Sequence, residues 1–280
     1  MIHHFYRLLA ALAVLLLCSM NAYALKLTVT PAEAAPGDIV LLIIENGGRA
    51  HAKADFLGQT IHCDQSEDGN LTALVPVDIN TAPGNHRLTI TIEDEQQADF
   101  VRVIPKEFTT IKLTLPEGKV TLSPENQKRA TDEAMLLNKI WPVTTGKLWI
   151  GNFVRPLATE VSTEFGVRRI MNEKKTSVHR GMDFRGKEGA PVQALNKGTV
   201  VLHKDLFYGG NTLVVDHGMG LYSVYMHLSK FEVSRGAKIS KGQIVGLVGM
   251  SGRATGPHLH LSVKLHGVSV NPESLFRLKL

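Results

Sequence analysis

Between Leu25 and about Pro105 the apolar positions come in short runs, Ile39–Ile44, Leu71–Val77 and Leu88–Ile92. Each is too short for a helix and is bounded by turn residues such as Pro36-Gly37-Asp38, Asp68-Gly69-Asn70 and Pro83-Gly84-Asn85. The period then changes. Ser123-Pro124-Glu125 reads as a helix start, with a hydroxyl cap and proline in the first turn, and Ala130, Ala134, Leu137 and Ile140 continue at helical spacing until Pro142. After Trp149 strand patterns return at Thr199–His203, Thr212–Asp216, Leu221–His227, Ile244–Val248 and His258–Val263, set among glycines.

A chain of 280 residues suits two domains. We read residues 25–105 as a β-sandwich resembling an immunoglobulin-like module, 106–153 as a linker with one helix, and 154–280 as a mainly β domain. Residues 1–24 carry Arg7, an apolar run from Leu8 to Leu17 and then Ala22-Tyr23-Ala24, the small-x-small pattern of a cleaved signal peptide. That run is half of the roughly 20 residues a membrane span requires, so no stable span is expected after cleavage. Leu17 before Cys18 disfavours a lipid anchor. The expected location is therefore outside the cytoplasm, periplasmic or extracellular.

Removal of the signal leaves Cys63 as the sole cysteine, so no internal disulfide can form, and the thiol reads as a small buried hydrophobe. It also leaves 30 basic against 26 acidic residues, a mild excess compatible with an anionic polymer. Basic residues crowd between Arg168 and Lys187, either as a solvated hairpin or as a wall that binds carboxylates. Nucleic acid is not an expected partner, because export removes the opportunity and no aromatics interleave the basic run. The pattern does not fix an oligomeric state.

Three segments carry the candidate chemistry. In His179-Arg180-Gly181-Met182-Asp183 a separation of four brings an imidazole and a carboxylate to one side of the chain, and Gly181 favours an extended backbone. In Pro257-His258-Leu259-His260-Leu261-Ser262-Val263, alternation puts His258, His260 and Ser262 opposite an apolar stripe. In Ser223-Val224-Tyr225-Met226-His227-Leu228 the same logic places His227 on the face of Ser223 and Tyr225. A catalytic zinc takes three protein ligands and keeps a position for water, whose pKa falls to about 7. Spacing alone leaves open which histidine of the HxH pair is a ligand. His51, His62 and His86 lack ligand-like spacing and read as surface or packing residues.

These segments, with Thr163-Glu164-Phe165-Gly166, Gly210-Asn211-Thr212 and Ser251-Gly252, resemble the lysostaphin-type (LytM-like, M23 family) zinc metallopeptidases of bacterial cell walls, over roughly Val154 to Pro272. The resemblance implies a C-terminal antiparallel β catalytic domain with a zinc-containing groove and one Zn2+ per chain, held by His179, Asp183 and His260. It implies that His258 activates water, and that His227 stabilises the oxyanion or orients the water. The implied activity is endopeptidase cleavage of peptidoglycan peptides. Val178 and the pair Leu261-Ser262 depart from common family residues and bear on substrate fit. Two other readings compete with this one. A non-catalytic cell-wall scaffold or amidase activator would be expected to lack ligands, and here the set is complete. A lipoyl- or biotinyl-like carrier is suggested by the rhythm of Gly236–Gly246, but the turn Gly249-Met250-Ser251-Gly252 has no lysine.

Overall fold

The computed structural model describes residues 26–45, 51–66, 68–114, 121–173 and 175–280; the segment read as a signal peptide and Lys174 of the basic run lie outside them. The N-terminal strands are β1 (Lys26–Thr30), β2 (Glu33–Ala34), β3 (Ile39–Glu45), β4 (Ala52–Phe56), β5 (Gln59–His62), β6 (Asp64–Gln65), β7 (Leu71–Pro76), β8 (Gly84–Ile92) and β9 (Glu95–Val103). They form two sheets, ordered β1-β3-β7-β6 and β2-β9-β8-β4-β5. Val40, Leu42 and Ile44 of β3 meet Phe56, Leu88, Ile90 and Val101 in the core between the sheets. The opposite face of β3 and β7 is buried too, because Ile39, Leu41 and Leu74 join the C-terminal core. Burial on both faces is why Ile39–Ile44 shows no polar alternation. Hydrogen bonds secure this junction, from Ile39 N to Ser274 Oγ at 2.8 Å and from Asn271 N to Gly37 O at 2.7 Å.

The segment read as a linker contributes more than a helix. Its β10 (Thr110–Leu113) pairs in parallel with β12 (Arg168–Met171), which pairs with β13 (Lys175–Val178). Helix α1 (Pro124–Asn138) has Ser123 as N-cap, its side chain accepting from Asn126 N. The helix lies on the C-terminal domain: Leu137, Ile140 and Trp141 pack against Leu202, Val214, Tyr222 and Val224, and Arg129 pairs with Asp205 at 2.9 Å.

The C-terminal domain adds β11 (Val161–Thr163), β14 (Met182–Arg185), β15 (Pro191–Gln193), β16 (Gly198–Leu206), β17 (Gly210–Gly218), β18 (Leu221–Phe231), β19 (Lys238–Ile239), β20 (Ile244–Val248), β21 (His258–Leu265), β22 (Val268–Val270) and the short α2 (Pro272–Arg277). Its principal sheet runs β11-β14-β21-β18-β17-β16-β19 with antiparallel pairings. One face of that sheet is core; the other, flanked by α1 and the β12–β13 hairpin, forms an open groove. The chain is mainly β, and among the described residues no helix is long and apolar enough to cross a membrane.

Candidate metal centre and its groove

Strand register assembles most of the site. In the antiparallel pair β14–β21, Asp183 stands opposite His260, and Arg185 opposite His258. Alternation then sends Met182, Phe184, Leu259, Leu261 and Val263 into the core, while Asp183, His258, His260 and Ser262 line the groove. His179 lies just before β14, in the turn from β13, where its N–H donates to Val167 O at 2.9 Å and its carbonyl accepts from Gly166 N at 2.8 Å. The HxxxD segment is thus not one continuous strand. Gly181 forms the turn because a Cβ there would stand 2.5 Å from Leu261 O and 2.6 Å from His260 Nε2.

His227 reaches the groove by a different route from the one its alternation predicts. Ser223 and Tyr225 face the core, where the Tyr225 hydroxyl accepts from Leu195 N at 2.9 Å, so the face they share leads away from the groove. The correction comes from a bulge: Leu213 pairs with Tyr225 and Asn211 with Leu228, leaving Met226 and His227 together opposite Thr212. At φ 63° His227 is in the left-handed region, and the alternation breaks there. Its ring turns to the groove while Leu228 returns to the core.

The ligand-type atoms of His179, Asp183 and His260 all lie within 4.8 Å of one another. His179 Nε2 is 2.9 Å and His260 Nδ1 2.7 Å from Asp183 Oδ1, and the two nitrogens are 3.0 Å apart. The other ring nitrogens are already engaged. His179 Nδ1 is 2.8 Å from Glu164 O, which can only accept. His260 Nε2 is 2.9 Å from Ser262 Oγ, whose proton goes to Arg180 O at 2.9 Å, so this nitrogen too must carry the hydrogen. Both neutral rings therefore aim lone pairs at the carboxylate. Either could lend it a proton only as an imidazolium, which burial opposes at His260. A cation among the three acceptors resolves this conflict, and two imidazole nitrogens with one carboxylate are a donor set suited to catalytic zinc.

Burial acts on Asp183 to raise its pKa; the opposing hydrogen bonds and charge of His179 and His260 hold the carboxyl below the usual range only when those rings are protonated, and a cation in the shared space does the same with both rings neutral. Arg169 Nη2 approaches its second oxygen at 3.4 Å. His258 sits beside the cluster, with Nδ1 2.8 Å from Gly256 O and Nε2 3.9 Å from Asp183 Oδ1. His227 Nδ1 is 2.9 Å from Ser251 O, and its ring centroid is 4.7 Å from that of His258 and 6.1 Å from that of His260. Burial lowers the pKa of His227 to about 4. All five residues singled out in the sequence thus meet in one groove.

Residues 177–272, which hold the whole cluster, match the sequence family described as Peptidase family M23. They form an M23 domain. Peptidoglycan DD-endopeptidase ShyA of Vibrio cholerae serotype O1 is 41% identical to the chain over 112 residues, 40% of this chain and 26% of that protein. DD-carboxypeptidase/endopeptidase Mpg of Neisseria meningitidis serogroup B is 34% identical over 123 residues, 44% of this chain and 28% of that protein. The chain thus spans between a quarter and a third of the length of these curated relatives. The fold likeness extends beyond the M23 domain: a crystal structure of an M23-type protein from Pseudomonas aeruginosa superimposes with a TM-score of 0.70 at 27% identity, covering 86% of this chain and 94% of that one.

Sequence reasoning missed two participants in the M23 site. Ser262 was placed on the correct face without a role, and its hydroxyl fixes the His260 tautomer. Arg169 stood within the basic run, but its contact with Asp183 depends on how the β12–β13 hairpin folds over β14. His51, His62 and His86 lie in the sandwich, outside the cluster; His86 Nε2 is 2.7 Å from Ala82 O.

Proposed function

We propose that the protein is a zinc metalloendopeptidase that hydrolyses peptide cross-links or stem peptides of peptidoglycan. The observation that carries the reading is the convergence of His179, Asp183 and His260 on one point, with two further imidazoles alongside. Zinc held by these three would supply Lewis acidity and lower the pKa of a water.

The protein's own groups then have separable tasks. His258, its Nδ1–H held by Gly256 O, keeps Nε2 as the basic nitrogen and accepts the proton of the attacking water. His227, its Nδ1–H held by Ser251 O, likewise offers Nε2 as an acceptor and so orients that water. Donation from Nε2 to an oxyanion would require the imidazolium, which burial disfavours. The carbonyl of Glu164 and the hydroxyl of Ser262 aim the imidazoles of His179 and His260, and Gly181 lets the turn approach β21.

The wider reading includes export on a signal peptide at 1–24 and division at 25–105, 106–153 and 154–280. It also includes an immunoglobulin-like sandwich, supported by the two sheet orders. The test is digestion of purified cross-linked peptidoglycan by the zinc-loaded protein, with fragments identified by mass spectrometry. Release of peptide-cleaved muropeptides that stops on chelation is the expected result. No new peptide termini from zinc-loaded protein would refute the reading.

A further inference from the structure

The walls of the groove differ in charge from the rest of the molecule. Among the described residues that line it, Asp183 is the sole acid, and it is engaged by His179, His260 and Arg169. Lysines and arginines line both ends. Along β21 the groove-facing positions run His258, His260, Ser262, Lys264, so at about 3.3 Å per residue Lys264 stands roughly 13 Å beyond His260. Arg180 is at the same end: its carbonyl accepts from Ser262 Oγ, and its charge acts on Lys264. Arg185 stands opposite His258 at the other end, close in sequence to Lys187.

These cations are poorly neutralised within the chain. Arg180 and Lys187 have no carboxylate partner among the described residues, and Arg185 reaches Glu160 only at 3.9 Å, with both side chains largely exposed. Lys264 is half-buried, donates to Gly267 O at 3.3 Å and lies 5.7 Å from the Trp141 ring. Its ammonium is destabilised first by burial and then by the charge of Arg180, with Asp78 opposing them. A solvated hairpin, the plain reading of the basic run, does not explain cations that face a groove from both ends with the metal cluster between them.

We propose that the groove selects peptides bearing free carboxylates on both sides of the scissile bond, with one anion subsite formed by Arg180 and Lys264 and another by Arg185 and Lys187. The proposal rests on the peptidase reading and assigns its substrate class: acidic peptides whose side-chain carboxyls are not amidated. A free carboxylate in either subsite gains attraction that an amide does not, and the gain is screened by salt because the groove is open to solvent.

The experiment compares two soluble cross-linked muropeptides that differ only in having side-chain carboxyls free or amidated, with zinc content measured throughout. At low ionic strength the free form should show a kcat/KM roughly tenfold higher, and the ratio should collapse towards one as salt is raised. The double variant Arg185→Gln/Lys187→Gln should lower the ratio severalfold through KM, without loss of zinc. Arg180→Gln should act in the same direction, and the salt series on the unaltered protein needs no variant to fold. Equal kcat/KM for the two substrates at low salt, or a ratio that neither salt nor the variants change, overturns this inference and leaves the peptidase reading standing. Failure of the zinc-loaded protein to cleave either substrate overturns that reading instead.

Discussion

His217 and His227 belong to the same sheet and are both buried, yet His217 and the groove imidazoles use their nitrogens differently. His217, 1% exposed, has both occupied: Nδ1 donates to Lys197 O at 2.8 Å, and Nε2 meets Ser223 Oγ at 2.8 Å. Ser223 Oγ is 3.1 Å from the Tyr225 hydroxyl, which accepts from Leu195 N, and Phe153 closes the site edge-on at 5.4 Å. Burial lowers His217 to about 4 and raises Tyr225 to about 12. On the groove side each imidazole commits one nitrogen to a carbonyl or hydroxyl and keeps the other for the shared space. His217 and His227 have the same lowered pKa from the same cause, so a perturbed pKa does not distinguish them. The uncommitted nitrogen does.

The comparison can be broken first at the cluster. Asp183→Ala should reduce hydrolysis of cross-linked muropeptides by at least about 10³-fold, because it removes both a ligand and the charge that centres the two imidazoles. A rate assay on the folded variant checks this. His258→Ala should cost about 10²–10⁴-fold while the metal stays, the range of a lost general base. A metal-free His258→Ala protein would place that histidine among the ligands.

A smaller effect is expected at Ser262, which touches His260 rather than the shared space. Ser262→Ala should weaken zinc binding by about 10–100-fold, read by competition with a chelator, because the His260 tautomer is then no longer fixed. Unchanged affinity would mean that the tautomer is set elsewhere.

His217 should leave the rate of the folded, zinc-loaded protein nearly untouched and act on stability instead. Its unfolded pKa is near 6.5 and its native pKa about 4, so the unfolded chain takes up the proton first as pH falls. The stabilisation is fully present above pH 6.5 and lost towards pH 4, with about 3 kcal/mol at stake. Urea unfolding at a series of pH values should show a shallower acid loss in His217→Gln than in the unaltered protein. An identical slope would remove His217 from the account.

What the sequence disclosed follows from how local each feature is. The alternation of β21 and the Ser123-Pro124 helix start depend on neighbouring residues, and both are in the structure as read. The apolar run of β3 was legible as a strand, but its burial on two faces depends on the C-terminal domain docking against it. The bulge at His227 was not legible, because it arises from the count of residues on β17, where Thr212 alone faces two. The parallel pairing of β10 with β12 and the contact of Arg169 with Asp183 join distant segments that no local pattern connects. Spacing thus singled out the candidate residues and the family resemblance suggested their roles, whereas the path by which each reaches the groove belongs to long-range pairing.

The central claim is that His179, Asp183 and His260 hold the metal while His227 and His258 stand beside it. Zinc stoichiometry, measured by elemental mass spectrometry on the folded protein and its five single alanine variants, tests it most directly. The account predicts one zinc per chain in the unaltered protein, His227→Ala and His258→Ala, and none in His179→Ala, Asp183→Ala or His260→Ala. Full occupancy in any of the last three, or an empty site in either of the others, would contradict it.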